Sequence, residues 1–210
     1  MARLNTDNPV FSFMGRLGDA FLLNLAWLVC SLPILTAGAS ATALLFVTRR
    51  MAAGDDYTVL RDFRRALREN FKSATATWLI LLLLALPWTL VLLLCAQVPD
   101  PMGSVFRGIS VMLGVFWIAE TTWAFALLAR YEYAPIPLLR DAAVPAVSHP
   151  VVSLCAAALA AIMPLLWRFD LAFAVYLLPF WLLLGGSVSA YVLSRLLLPV
   201  YLKIEEDKEE

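Results

Sequence analysis

The sequence predicts an all-α protein: a polytopic membrane helical bundle of about five transmembrane helices, with an amphipathic helix lying at its cytoplasmic interface. Three observations predict it. Hydrophobic residues make up 62% of the 210 positions and charged ones only 15%, and the mean hydropathy is +0.81, more apolar surface than one water-soluble core needs. The apolar residues fall in runs of about twenty, the length a helix needs to cross a hydrocarbon core roughly 30 Å thick. Alternating ten-residue segments of the kind that build barrels are absent, so each span satisfies its own backbone as a helix.

The runs place spans near residues 21–48, 74–98, 105–129, 151–167 and 171–202 within a single integral membrane domain, 1–210. Arg3 and Arg16 before the first run, with AGASA near its end, imitate a signal peptide. The run resumes at once as ALLFV, however, whereas a cleaved signal gives way to a polar start. At about 46 Å, residues 18–48 are too long for one straight crossing. The run contains Pro33 and Gly38, so it is either a span kinked at Pro33 or a re-entrant hairpin turning at SLPILTAGAS.

Residues 49–72 carry seven cations against four acids. Short basic loops stay on the cytoplasmic side, which orients the chain. Within the basic segment 55–72, Phe63, Leu67 and Phe71 recur at helical spacing among Arg61, Arg64, Arg65, Arg68 and Lys72, the pattern of an amphipathic helix in the interface. Those five cations are candidates for contact with anionic lipid or for docking a partner. From this anchor the PDPMG turn is outside, residues 130–149 inside, the turn at 168–170 outside and the acidic tail IEEDKEE inside. A kinked first span then puts the amino terminus outside, with Arg3 and Arg16 on the disfavoured side; a hairpin puts it inside.

A weak repeat bears on that choice. YTVLRDFRRALRENFK and the following span align with IPLLRDAAVPAVSHP and its span through Leu60-Arg61-Asp62 and Leu139-Arg140-Asp141, ending at Trp88 and Trp167 with equal spacing. Each follows an Ala-Leu-Leu, at Ala43 and Ala126. The repeat favours the kinked span.

Ionisable residues inside spans are functional candidates. Glu120 lies near the middle of the third span, flanked by Trp117 and Trp123, and Arg195 in the fifth span is the partner its long stem suits best. Two readings stand, a structural ion pair or protonated glutamate, and a proton-coupled or cation-binding carboxylate. Asn24 and Thr36, with Ser31, Ser40, Thr42 and Gly38, are the second group of intramembrane polar candidates. They read as close helix packing or as a broken helix facing a cavity. Gly185, Gly186 and Ser187 read as a packing seam, Cys30, Cys95 and Cys155 as small apolar fillers, and His149 before Pro150 as a helix-start residue. HExxH, GxSxG, GxxxxGK[ST] and GxGxxG are absent from the sequence, so no catalytic, cofactor-binding or metal-binding residues are assigned and no enzyme is expected.

The order DNPVFSFMGRLGDAFLLNLAWLVCSLPILTAGASATALLFVTRRM, then YTVLRDFRRALRENFKSATATWLI, then ALLARYE resembles the YesL family of bacterial membrane proteins, a domain of unknown function (624). Asn24, Trp27, Cys30, Pro33, Thr36, Gly38, Ala43, Phe63 and Asn70-Phe71-Lys72 carry the likeness. The resemblance implies a multi-pass protein of the bacterial cytoplasmic membrane with no established activity. It further implies association with carbohydrate uptake, as an accessory or regulatory subunit beside a sugar ABC transporter. The alternative expectation is a small independent carrier or channel using Glu120.

Overall fold

A computed structural model describes the backbone of residues 9–95, 98–169 and 171–209, and the described residues are helical, without a strand. Arg3, and the side chains of Cys95, Trp167, Arg168, Asp170 and the acidic tail, lie outside what it describes.

The first apolar run is not one kinked span. It divides into α1 (Pro9–Ser31) and α2 (Ala37–Ala53), separated by a 3-10 turn at Ile34–Thr36. Pro33 is extended, at φ −75° and ψ 111°, and it has no N–H with which to continue α1. The Thr36 hydroxyl turns back onto the carbonyls of Cys30 (2.6 Å) and Pro33 (2.9 Å), satisfying groups the break sets free. The two helices fold against each other. Ser31 Oγ meets Ser40 Oγ at 2.5 Å beside the turn, and at the far end Tyr57, just past α2, donates its hydroxyl to Asp19 on α1 at 2.7 Å. Collinear helices would hold Asp19 and Tyr57 more than 50 Å apart by the 1.5 Å rise per residue. The hairpin alternative is therefore correct, and it puts the start of α1 at the same end of the bundle as the basic α2–α3 connection.

Gly54 closes α2 in the left-handed conformation, φ +80°, where its N–H and that of Asp55 both reach the Arg50 carbonyl at 3.1 Å. The next helix, α3 (Val59–Cys95), runs 37 residues without a break, about 55 Å. The amphipathic segment therefore does not lie flat as a separate interfacial helix. No proline or glycine stands between Val59 and Pro87 to stop it, so helix propagates from the basic segment straight into the apolar one. The expected stripe is used unevenly. Phe63 is 3% exposed against α2, Leu67 is half-buried, and Phe71 is 43% exposed.

α4 (Met102–Leu128) returns antiparallel to α3. The indole N–H groups of Trp117 and Trp88 donate to the carbonyls of Leu81 (3.1 Å) and Ser110 (2.9 Å). α5 (Pro135–Ser148), begun by a proline in its first turn, is bent by 100° from α6 (Pro150–Phe169). The two halves of the sequence repeat thus differ in shape. Where α3 is continuous, the second copy has Pro145 and Pro150, and His149 caps α6 by accepting the Ser153 N–H at 3.2 Å. Its Ala-Leu-Leu motifs do meet in the core, where residues 43–45 and 126–128 are all buried. The chain ends in α7 (Leu171–Phe180), a π-helical turn (Trp181–Gly185) and α8 (Gly186–Glu209).

The core forms around α2, which is buried on most of its surface against α3, α4 and α8. Small residues let the neighbours close in: a Cβ on Gly38 would lie 2.5 Å from Trp78 Cβ and 2.7 Å from the Ala74 carbonyl oxygen. Thr48 on α2 and Ser194 on α8 pair their hydroxyls at 2.9 Å. Among the described residues, three helices are long and apolar enough to cross a membrane, within Val59–Leu94, Met102–Leu128 and Val175–Tyr201, or up to four if the bent pair α5–α6 forms one span.

Candidate functional site

Asn24 has its side chain fully buried, 0% exposed, pointing from α1 into the broken last helix. Its Nδ2 donates to the Leu182 carbonyl at 2.6 Å and its Oδ1 accepts the Ser187 N–H at 2.8 Å. Leu182 and Ser187 are five residues apart, the two ends of one turn of a π-helix. A single carboxamide, which carries both donor and acceptor, thus occupies the gap that the π turn opens. Gly186 permits the approach, since a Cβ there would stand 2.6 Å from the Trp27 ring and 2.8 Å from Asn24 Oδ1. Asn24 and the 185–187 seam, read separately in the sequence, are one constellation. Thr36, by contrast, caps the break in the hairpin.

Beside this contact lies a cavity of ≈ 440 Å³. Its walls include Trp27, Trp78, Trp117 and Trp181, with Thr121 and Thr122. The two threonine hydroxyls are spent on their own helix, donating to the carbonyls of Trp117 (2.7 Å) and Ile118 (2.8 Å), so the chamber is chiefly apolar.

Glu120 is not among the residues lining it. It lies on α4 in line with Ile109, Leu113 and Phe116, all exposed on the outer face of the bundle at helical spacing. The carboxylate is half-buried and makes no hydrogen bond or ion pair with any described residue. The pairing expected with Arg195 does not form. Arg195 is exposed, and its Nε donates to Tyr191 Oη one turn back on α8 at 3.3 Å, with the guanidinium 5.8 Å from that ring's centre.

Of the basic residues on α3, Arg61, Arg64, Arg68 and Lys72 are exposed, and Arg65 pairs with Glu69 at 2.9 Å. Asp62 faces inward and organises the start of the helix. Its Oδ2 takes the Thr58 N–H and a guanidinium nitrogen of Arg50, each at 3.0 Å.

Sequence reasoning missed the group at the end of the hairpin. Arg16 and Asp19 from α1, Tyr57 from the α2–α3 connection and Tyr191 from α8 converge there. The Tyr57 hydroxyl is pushed up to about 12 by burial, by its hydrogen bond to Asp19 and by that carboxylate's charge, with Arg16 pulling the other way. Asp19 and Tyr57 are 38 positions apart, and no linear pattern joins them.

Compared with known proteins, residues 20–92 match a family described as "Protein of unknown function, DUF624". The match takes in the second half of α1, the hairpin turn, α2 and nearly all of α3. No curated protein and no solved structure matches the chain significantly.

Proposed function

We propose that this chain is a non-enzymatic accessory subunit that binds another membrane protein through the outer face of α4. The observation that carries the reading is Glu120. An ionisable group at membrane depth normally faces a bundle interior or a watery cavity. Here it stands without a partner among the described residues, at the end of an exposed apolar stripe and away from the central cavity. A transmembrane helix of another subunit, carrying a Lys or Arg, would cover the stripe and compensate the charge. The exposed cations of α3 supply a second contact. Because α3 is continuous, Arg61, Arg64 and Arg65 stand about two to three turns beyond Lys72 along one helix and present their charge to an acidic face of the partner. The likeness to the YesL family points to permease subunits of a sugar transporter in a bacterial cytoplasmic membrane as the partner. In this arrangement α3, α4, α6 and the α7–α8 helix cross the bilayer, the α1–α2 hairpin enters from the basic side, and both ends of the chain are cytoplasmic.

The test is affinity purification from native membranes in mild detergent, with Glu120→Gln and with Arg61, Arg64, Arg65 and Arg68 changed to Glu. Near-stoichiometric recovery of a membrane partner, lost in either variant while expression is kept, is the expected result. Recovery of the chain alone counts against the reading.

The central cavity favours a second reading, an independent carrier. Flux of a sugar or ion through liposomes holding the purified protein would support it, and silence across a panel of both would remove it.

A further inference from the structure

A second cavity, ≈ 490 Å³, opens at the basic end of the bundle between α1, the α2–α3 connection and α8. Its floor is formed by Leu23 and Met51, with the buried Thr48 and Ser187 beside them. Its rim carries one cation, Arg16, and one carboxylate, Asp55. Both are exposed and neither forms an ion pair within the described residues. The aromatic groups at the rim are already engaged: Tyr57 donates to Asp19 and Tyr191 accepts from Arg195. Two further lining residues, Leu17 on α1 and Val188 on α8, are 40% and 46% exposed. The cleft is therefore open on the side of Leu17 and Val188, an exposed apolar flank along which an acyl chain fits.

We propose that this cleft binds the zwitterionic headgroup of a phospholipid bearing a primary ammonium, with its phosphate on Arg16, its ammonium on Asp55 and an acyl chain along Leu17 and Val188. The charge pattern makes the choice. An anionic headgroup would bring a further negative charge to a rim that already holds Asp55, with Asp19 hydrogen-bonded to the lining Tyr57 behind it. A quaternary ammonium has no N–H to donate to a carboxylate, whereas a primary one has three. The position agrees as well, since the rim lies at the same end of the bundle as the basic α2–α3 connection. The floor touches the Asn24 constellation through Leu23 and Ser187, so an occupied cleft would brace the contact between α1 and the π turn.

The experiment adds dioleoyl phosphatidylethanolamine, phosphatidylglycerol, phosphatidylcholine or free phosphoethanolamine to the delipidated, detergent-solubilised full chain. Lipid retention is read by native mass spectrometry and stability by thermal unfolding. One ethanolamine lipid retained in preference to the other two, with a raised Tm, is expected. Arg16→Gln and Asp55→Asn should each weaken that retention about tenfold, the loss of one charge-assisted hydrogen bond. Both residues are exposed, so both variants should elute as the parent does. Equal retention of the three lipids, or selectivity that survives both substitutions, overturns the proposal. Saturation by free phosphoethanolamine as tightly as by the lipid overturns the assignment to a membrane lipid.

Discussion

The side chain of Asn24 and the backbone of Ser187, 163 positions apart, share a 2.8 Å hydrogen bond that ties the start of the chain to its last helix. The same carboxamide donates to Leu182 at 2.6 Å, so the π turn in the final helix is held open by a residue of the first.

Replacing Asn24 by Ala would leave the Leu182 carbonyl and the Ser187 N–H without that partner in an apolar interior. A buried polar group left unpaired costs about 1–3 kcal/mol, so Asn24→Ala should lower stability by roughly that amount in detergent thermal unfolding. Asn24→Asp should also destabilise, because an ionised carboxylate has no donor for Leu182. An unchanged Tm for Asn24→Ala would mean that the turn reverts to α-helix without cost.

Glycine-to-alanine changes should separate by position. At Gly38 the new methyl would meet Trp78 Cβ at 2.5 Å and a backbone oxygen at 2.7 Å, and backbone cannot move aside as a flexible side chain can. A loss of about 1–3 kcal/mol is expected from such overpacking. At Gly18, exposed on α1 with nothing within 4 Å, Ala should instead stabilise by about 0.5–1 kcal/mol through helix propensity. Thermal unfolding of the pair checks both signs, and a stable Gly38→Ala would contradict the close packing of α2 on α3.

The Arg50–Asp62 contact should behave as a coupled unit. Asp62 is largely buried and also holds the Thr58 N–H. Asp62→Asn and Arg50→Gln should each lose about 1.5–3 kcal/mol, the range of a hydrogen bond to a charged group. The double variant should lose less than the sum of the two. Strict additivity would show that the residues act independently.

Tyr57 should titrate apart from the other tyrosines. Its raised pKa, about 12 against an ordinary 10.0, means the folded state holds that proton more tightly than the unfolded one. The associated stability is complete below pH 10 and is lost as pH rises from about 10 to about 12. The difference in tyrosinate absorbance between the parent and Tyr57→Phe should show the missing step near pH 12. A step near pH 10 would place the Tyr57 hydroxyl in solvent, away from Asp19.

What the sequence determined by itself was composition, helical class and the local signals of breakage. Pro33 ends one helix and Gly54 another, and the absence of any breaker from Val59 to Pro87 lets α3 run on, although the charged and apolar halves of that stretch invite division into two elements. These are properties of backbone and hydropathy along a few turns, so they are legible without neighbours. Whether the break at Pro33 is a kink or a reversal was left to tertiary structure, because both satisfy the local dihedrals. The contacts that distinguish them, Asp19 with Tyr57 and Ser31 with Ser40, lie across the hairpin. The same holds for the polar candidates. Hydropathy located Asn24, Glu120 and Arg195 within apolar runs, but only the packing of helices brought Asn24 to Leu182 and Ser187, turned Glu120 to the outer face and gave Arg195 to Tyr191. Side-chain direction around a helix is set by which face its neighbours bury, and in a membrane protein apolar residues occur on every face. Hydrophobic periodicity therefore carries little of that information, and the sites built from it belong to the fold.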